Sequence, residues 1–375
     1  MNIVEKVEQK LNEKKNRTPA QTVIQEVCRI KKEEKLLIIA NPETSSIAQK
    51  LYVAATEAGA KAVLMYQPKK SSMEAAEPSV IAAIKSAPDV IFSISAVKLG
   101  KDPEAIATPY VAKDGQKYDS TFDYLLSGTK QIRSIWTPGL TEDMFNRTVN
   151  IDYKLLAKRC ESLCQKYENA ESVHVTAKGG TDVTVPVAGR LGLSDNGDFS
   201  TPGSGGNIPA GEVYISPVVG GTSGTIVYDG SMTFSDGDLI IKTPITVKIE
   251  NGFVSTITGG EEAKRLLKDI TDAEKRALVM EKNGKLPAGQ GEIYSKNSRN
   301  IGELGIGLNP SATICGNMLE DEKAFRTCHF AIGQNYDGDA PALIHFDGVV
   351  REPTIVIKYK DGTECKILDN GNLTI

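Results

Sequence analysis

The stretch KLLIIANPETSSIAQKLYVAATEAGAKAVLMYQ (35–67) reads as strand, turn, helix and strand. KLLIIA and KAVLMYQ are continuous apolar runs of strand length, and SSIAQKLYVAATEAGA between them is amphipathic at helical spacing. Working outward, the cycle repeats with a helix at SVIAAIKSA (79–87) and strands at DVIFSISA (89–96) and QIRSIWTP (131–138). Upstream, TPAQTVIQEVCRIKK (18–32) has a Thr N-cap followed by Pro at the first helical position, which sets a helix start near Thr18. Apolar strands separated by helices imply a parallel sheet covered on both faces, because each crossover packs a helix against it. Residues 1–170 are therefore expected to form an α/β domain with Rossmann-like or flavodoxin-like layers. No GxGxxG or Walker pattern follows any of these strands. Asn41, Thr44 and Ser45 in NPETSS are expected to cap and turn the chain rather than to bind an anion.

The character changes after the helical segment DYKLLAKRCESLCQKYENA (152–170). ESVHVTAKGGTDVTVPVAGR (171–190) alternates apolar and polar residues on either side of a Lys-Gly-Gly turn, a hairpin pattern. Strands then follow at EVYISPVV (212–219), GTIVYDGSM (224–232), TPITVKIENG (243–252) and FVSTITGG (253–260). After one helix at 261–280, more strands follow at HFAIG (329–333), ALIHFD (342–347), PTIVIKY (353–359) and CKILD (365–369). Residues 171–375 are expected to be an α+β domain dominated by antiparallel strands.

Charged residues make up 25% of the 375, with both signs interspersed and a net charge of −4. That balance argues against nucleic acid, which calls for a basic stripe. The N-terminal MNIVEKVEQKLNEKKNR (1–17) has no apolar core of the secretory type, and no run of about 18 apolar residues suits a membrane span. A cytoplasmic protein is expected. Six cysteines are too sparse for a disulfide framework and are read as reduced thiols. Cys160 and Cys164 share a helix face, but with no second pair at metal spacing they read as packing.

The chain has only three histidines, and two of them, His329 and His345, fall in apolar strand-like segments near the C-terminus. His345 and Asp347 in ALIHFDGV are two apart, so a strand projects both side chains from one face. A neutral imidazole and a carboxylate so placed can chelate a divalent cation. Glu303 in NIGELGIGLNP is flanked by glycines without a basic neighbour, and Glu212 in GGNIPAGEVYISP enters an apolar strand directly after a turn. Carboxylates entering a core need a cation to offset their desolvation.

NIPAGEVYISP, GELGIGLNP, EDEKAFRTCHFAIGQNY and ALIHFDGVVREP, in that order, resemble the aminopeptidase T family, peptidase family M29. The resemblance covers roughly residues 185–360. It implies two divalent ions, Zn, Co, Mn or Mg, held by Glu212, Glu303, His329, His345 and Asp347, with Glu303 shared between them. It also implies a catalytic tyrosine, matched by Tyr336 seven residues after His329. In typical members a further ligand glutamate stands five residues before the first histidine; here position 324 is Ala, and the nearest candidates are Glu322, Asp321 and Glu320, with Glu322 the substitute seven residues before His329.

The expectation is a metallo-aminopeptidase acting on peptides, a homodimer by family resemblance, with neither nucleic-acid nor membrane partners. Its metal-activated water would attack the scissile carbonyl while Tyr336 donates to the oxyanion. Glu212, Glu303, Glu322 and Asp347 would balance two divalent ions. The alternative is a mononuclear non-haem Fe(II) enzyme, since His329, His345 and Asp347 also satisfy a two-histidine, one-carboxylate triad. The 2,5-dihydroxypyridine dioxygenases, which cleave an aromatic ring, look like this fold. A non-catalytic relative with a degraded site is the third reading.

Overall fold

The computed structural model describes residues 17–71 and 74–375, so the charged stretch 1–16 lies outside the described residues. The chain divides into two compact units, one running to residue 154 and including 197–210, the other made of 155–196 and 211–375.

In the first unit a five-stranded sheet runs in the order Gly205–Asn207, Arg133–Trp136, Val90–Ile94, Lys35–Ala40, Lys61–Tyr66, with every neighbouring pair parallel. Four of these strands are the apolar runs read from the sequence. The fifth, in 205–207, comes from a segment far along the chain that is too short and glycine-rich to show strand periodicity. Leu37, Ile39 and Ile91 on the sheet pack with Val80, Ile81 and Ile84 of the helix Pro78–Lys85. The first described helix starts where expected, with Thr18 and Gln21 forming a capping box around Pro19, and after Thr22 it widens into a π-turn over Val23–Val27.

Asn41 is fully buried and ties three strand ends together. Its Nδ2 donates to Gln67 O at 3.0 Å, and its Oδ1 accepts from Ala96 N at 2.6 Å. Thr44 Oγ1 donates to Ile94 O at 2.6 Å. These bonds use the polar groups of the turn internally, in keeping with a capping role.

The second unit contains two antiparallel sheets. One has eight strands, ordered Phe253–Thr258, Ile245–Glu250, Ser223–Tyr228, Asp182–Pro186, Ala170–Thr176, Thr354–Tyr359, Glu364–Asp369, Asn372–Leu373. The predicted hairpin is its centre, with Val175 opposite Val183 and His174 opposite Thr184. The other has seven strands, ordered Gly237–Ile240, Ser231–Phe234, His345–Arg351, Thr327–Gly333, Ile301–Gly307, Glu212–Ile215, Leu193–Asp195. Its middle strands 301–307 and 327–333 are buried at every residue, on both faces. Polar side chains on such strands are out of reach of bulk water, so they must find partners in one another. The helix Glu261–Lys282 buries Ala263, Leu266, Ile270, Ala273 and Ala277 along one stripe. Among the described residues no helix is long and apolar enough to cross a membrane.

Candidate metal centre

The ladder register of the seven-stranded sheet sets the site. Glu212 pairs with Gly307, Gly305 with His329, Glu303 with Ala331, and Ala331 with Asp347. Directly opposed residues in antiparallel strands point to the same face, and side chains alternate along each strand. Glu212, Glu303, His329, His345 and Asp347 therefore converge on one face from four strands.

They form two groups with Glu303 in common: Glu212, Glu303 and His329, and Glu303, His345 and Asp347. His329 Nε2 lies 3.2 Å from Glu303 Oε1 and 3.5 Å from Glu212 Oε2. His345 Nε2 lies 3.2 Å from Glu303 Oε2 and 3.3 Å from Asp347 Oδ1. Two ligands each about 2.1 Å from one ion stand about 3.0–3.4 Å apart at octahedral to tetrahedral angles, so these spacings suit a shared cation. Glu212 Oε2 and Asp347 Oδ1 are buried, and neither has a hydrogen bond of proper geometry. Convergent acceptors left so are a donor set that fits a divalent metal ion.

The protonation states agree. Burial opposes charge on both imidazoles, yet the carboxylates outweigh it: His329 is pushed up to about 9 by Glu303 and Glu212, and His345 well above its usual value by Asp347 and Glu303. Burial raises Asp347, but His345 and His329 bring it down to about 2, and the same two imidazoles lower Glu303. Metal binding at such a cluster is coupled to release of the protons its ligands carry. The imidazole of His345 is also oriented, because its Nδ1–H donates to Gln334 O at 2.8 Å and leaves Nε2 facing Glu303 and Asp347.

The glycines of GELGIG make the space. A Cβ on Gly305 would stand 2.0 Å from His329 Nε2 and 2.2 Å from its Cε1. Only hydrogen fits opposite that imidazole.

Glu322, the sixth expected ligand, is in neither group; at the end of the helix Met318–Asp321, its carboxylate contacts Lys323 Nζ. Burial and the nearby Glu212 push Glu322 up to about 8 despite Lys323. Tyr336 is brought to the site, its ring 5.3 Å from His345 and 5.1 Å from Tyr214. Burial of its hydroxyl end and the carboxylates of Glu303 and Asp347 push the phenol far up, although 57% of the residue is exposed. Arg190 braces the same loop, donating to Asp339 Oδ2 at 2.6 Å and lying 3.4 Å from Asp337.

Lys323, Tyr214, Gly305 and Arg190 were not singled out from the sequence. In EDEKAF a lysine after three acids has the look of a solvated charge run. The signal against that reading is the mostly apolar strand that begins four residues later. Cys160 and Cys164 are free thiols, and Cys160 is buried, as packing requires.

The NicX family, described as 2,5-dihydroxypyridine 5,6-dioxygenase, matches residues 141–373. A 2,5-dihydroxypyridine 5,6-dioxygenase from Pseudomonas putida KT2440 is 29% identical over 144 residues, covering 36% of this chain and 39% of that protein's length. The solved structure of the 2,5-dihydroxypyridine dioxygenase from Pseudomonas putida KT2440 superposes with a TM-score of 0.68 at 17% identity, covering 95% of this chain and 96% of that one. Wild-type AmpT from Thermus thermophilus superposes with a TM-score of 0.62 at 16% identity, covering 98% and 100%. At such identities both structures show a common fold. The expected metallo-aminopeptidase, a hydrolase, is overturned: the family match and the sequence relative are dioxygenases, and the likeness to the M29 enzymes is one of fold.

Proposed function

The chain belongs to the NicX family of 2,5-dihydroxypyridine 5,6-dioxygenases, and from that premise we propose that it is a non-haem iron(II) dioxygenase opening a dihydroxylated pyridine-type ring. The observation that carries this reading is that the family match over 141–373 takes in the whole cluster, from Glu212 to Asp347. Imidazole and carboxylate donors suit iron(II).

His345, Asp347 and Glu303 would hold the ion, with His329 on the other oxygen of Glu303. A ferrous ion, when bound, supplies the one-electron chemistry by which dioxygen reacts with a closed-shell aromatic ring. The protein's own groups do the rest. The bond from His345 Nδ1 to Gln334 O keeps the Nε2 lone pair aimed at the cluster. Tyr336 marks the exposed side, where its ring and that of Tyr214 offer aromatic surfaces beside which a flat heterocycle can lie. Because its pKa is raised, the Tyr336 phenol stays protonated and can hold a hydrogen bond to a substrate oxygen. Arg190, through Asp339, fixes the loop that carries it.

The test is anaerobic loading with Fe(II), then addition of 2,5-dihydroxypyridine in air-saturated buffer. Oxygen uptake equal to the loss of aromatic absorbance is expected. Folded, iron-loaded protein that consumes no oxygen with this compound or its dihydroxy isomers would refute the proposal.

A further inference from the structure

Lys323 exposes none of its surface, and its surroundings are acidic. Its Nζ contacts Glu322 Oε1 and lies 3.1 Å from Glu212 Oε1. Asp195, paired with Glu212 on the adjacent strand, adds a third carboxylate to its field. An ammonium withdrawn this far from water is retained only when carboxylates compensate it closely. The backbone holds it in place, with Lys323 N donating to Glu320 O at 2.9 Å and Asn309 N donating to Lys323 O at 3.0 Å.

We propose that the ammonium of Lys323 is a built-in second cation of this centre, seated between Glu212 and Glu322 and limiting the site to one exchangeable divalent ion at Glu303, His345 and Asp347. The inference rests on the metal reading of that group given above. An ion bridging Glu212 and Glu322 would need to stand about 2.0–2.2 Å from an oxygen of each, within the space the ammonium fills. An ion on the Glu212, Glu303 and His329 side would share Glu212 with the fixed positive charge already on its other oxygen. It would also lack a fourth protein donor from position 324, where a buried Ala follows the lysine. Lys323 is thus a residue that sets metal stoichiometry without touching substrate.

The experiment is a count of Co(II) ions bound per chain at saturation, with melting curves in the absence and presence of Co(II). Wild-type protein is expected to hold one ion. Lys323→Met, which keeps the length of the side chain and removes its charge, is expected to melt lower without metal, to approach two ions per chain, and to regain more stability from Co(II) than wild type does. Lys323→Arg, which keeps the charge, is expected to stay at one. Two ions in wild type would overturn the inference, as would a folded Lys323→Met protein with one ion and a wild-type response to Co(II), or a second ion in Lys323→Arg. If Lys323→Met does not fold, the wild-type and Lys323→Arg counts still decide. Zero ions throughout would overturn the metal reading and this inference together, whereas one ion without oxygen uptake would overturn only the dioxygenase reading.

Discussion

Replacing Gly305 with alanine places a methyl group where the imidazole of His329 now stands. The ideal Cβ lies 2.0 Å from Nε2, and ordinary carbon contacts need about 3.5 Å, so the ring must retreat by about 1.5 Å. His329 is fully buried on a strand buried at every residue, so its neighbours must move with it. Overpacking of this kind costs about 1–3 kcal/mol. At an ordinary strand position the same substitution gains about 0.5–1 kcal/mol from reduced backbone entropy, so the net expectation is a loss of about 1–2 kcal/mol, opposite in sign. The retreat also breaks the 3.2 Å contact from His329 Nε2 to Glu303 Oε1, and losing a partner that orients a ligand lowers metal affinity about 10–100-fold. Urea unfolding of the metal-free protein and anaerobic Co(II) titration measure the two effects. A Gly305→Ala protein as stable as wild type, binding Co(II) within about threefold of it, would refute the packing argument at this site.

Three further outcomes follow from the same geometry. Glu303→Gln removes the carboxylate common to both ligand groups, and metal retained after dialysis should fall by at least about 100-fold; undiminished retention would remove Glu303 from the centre. Tyr336→Phe deletes the phenol without touching a ligand, so ring-opening turnover should drop about 10–100-fold while iron content is unchanged, and equal turnover would leave Tyr336 with a packing role only. In the first unit, burial raises Glu34, but hydrogen bonds from Arg133 at 2.6 and 3.1 Å and from Lys31 N outweigh it and hold its pKa below the ordinary 4.5. A group depressed on folding stabilises above its unfolded pKa, and that contribution fades as pH falls through the folded value. Glu34→Gln should therefore cost about 1–3 kcal/mol at pH 7, with the gap to wild type closing in acid below the unfolded value; a gap constant with pH would contradict this.

Much of this architecture is legible in the sequence because its elements are locally consistent. KLLIIA and DVIFSISA are mostly apolar because helices and neighbouring strands cover both faces, whereas KAVLMYQ keeps the apolar run at the sheet edge, where Val63 and Tyr66 are exposed. The spacing of His345 and Asp347 is legible for an equally local reason, since period two on a strand dictates a shared face. The strand in 205–207 is not legible, because what holds it is pairing with residues 134–136, far away in sequence. Lys323 escapes for a related reason: in EDEKAF only the three-dimensional position of Glu212 distinguishes a buried ammonium from a solvated one. Between the aminopeptidase reading and its dioxygenase alternative the residues from Glu212 to Asp347 do not decide, because a ligand set of imidazoles and carboxylates accepts several metals; the family match favours the alternative.

The convergence of ligands from four strands makes the centre a reporter of strand alignment. A slip of one residue in the ladder between 301–307 and 327–333, or between 327–333 and 345–351, would turn a whole strand's ligands to the opposite face of the sheet. Either misaligned sheet could keep most of its backbone hydrogen bonds, yet it would part Glu303 from His345 and Asp347. A cation that binds only the aligned form stabilises it selectively by mass action. An ion held by these ligands would thereby proofread the register of the strands that hold it.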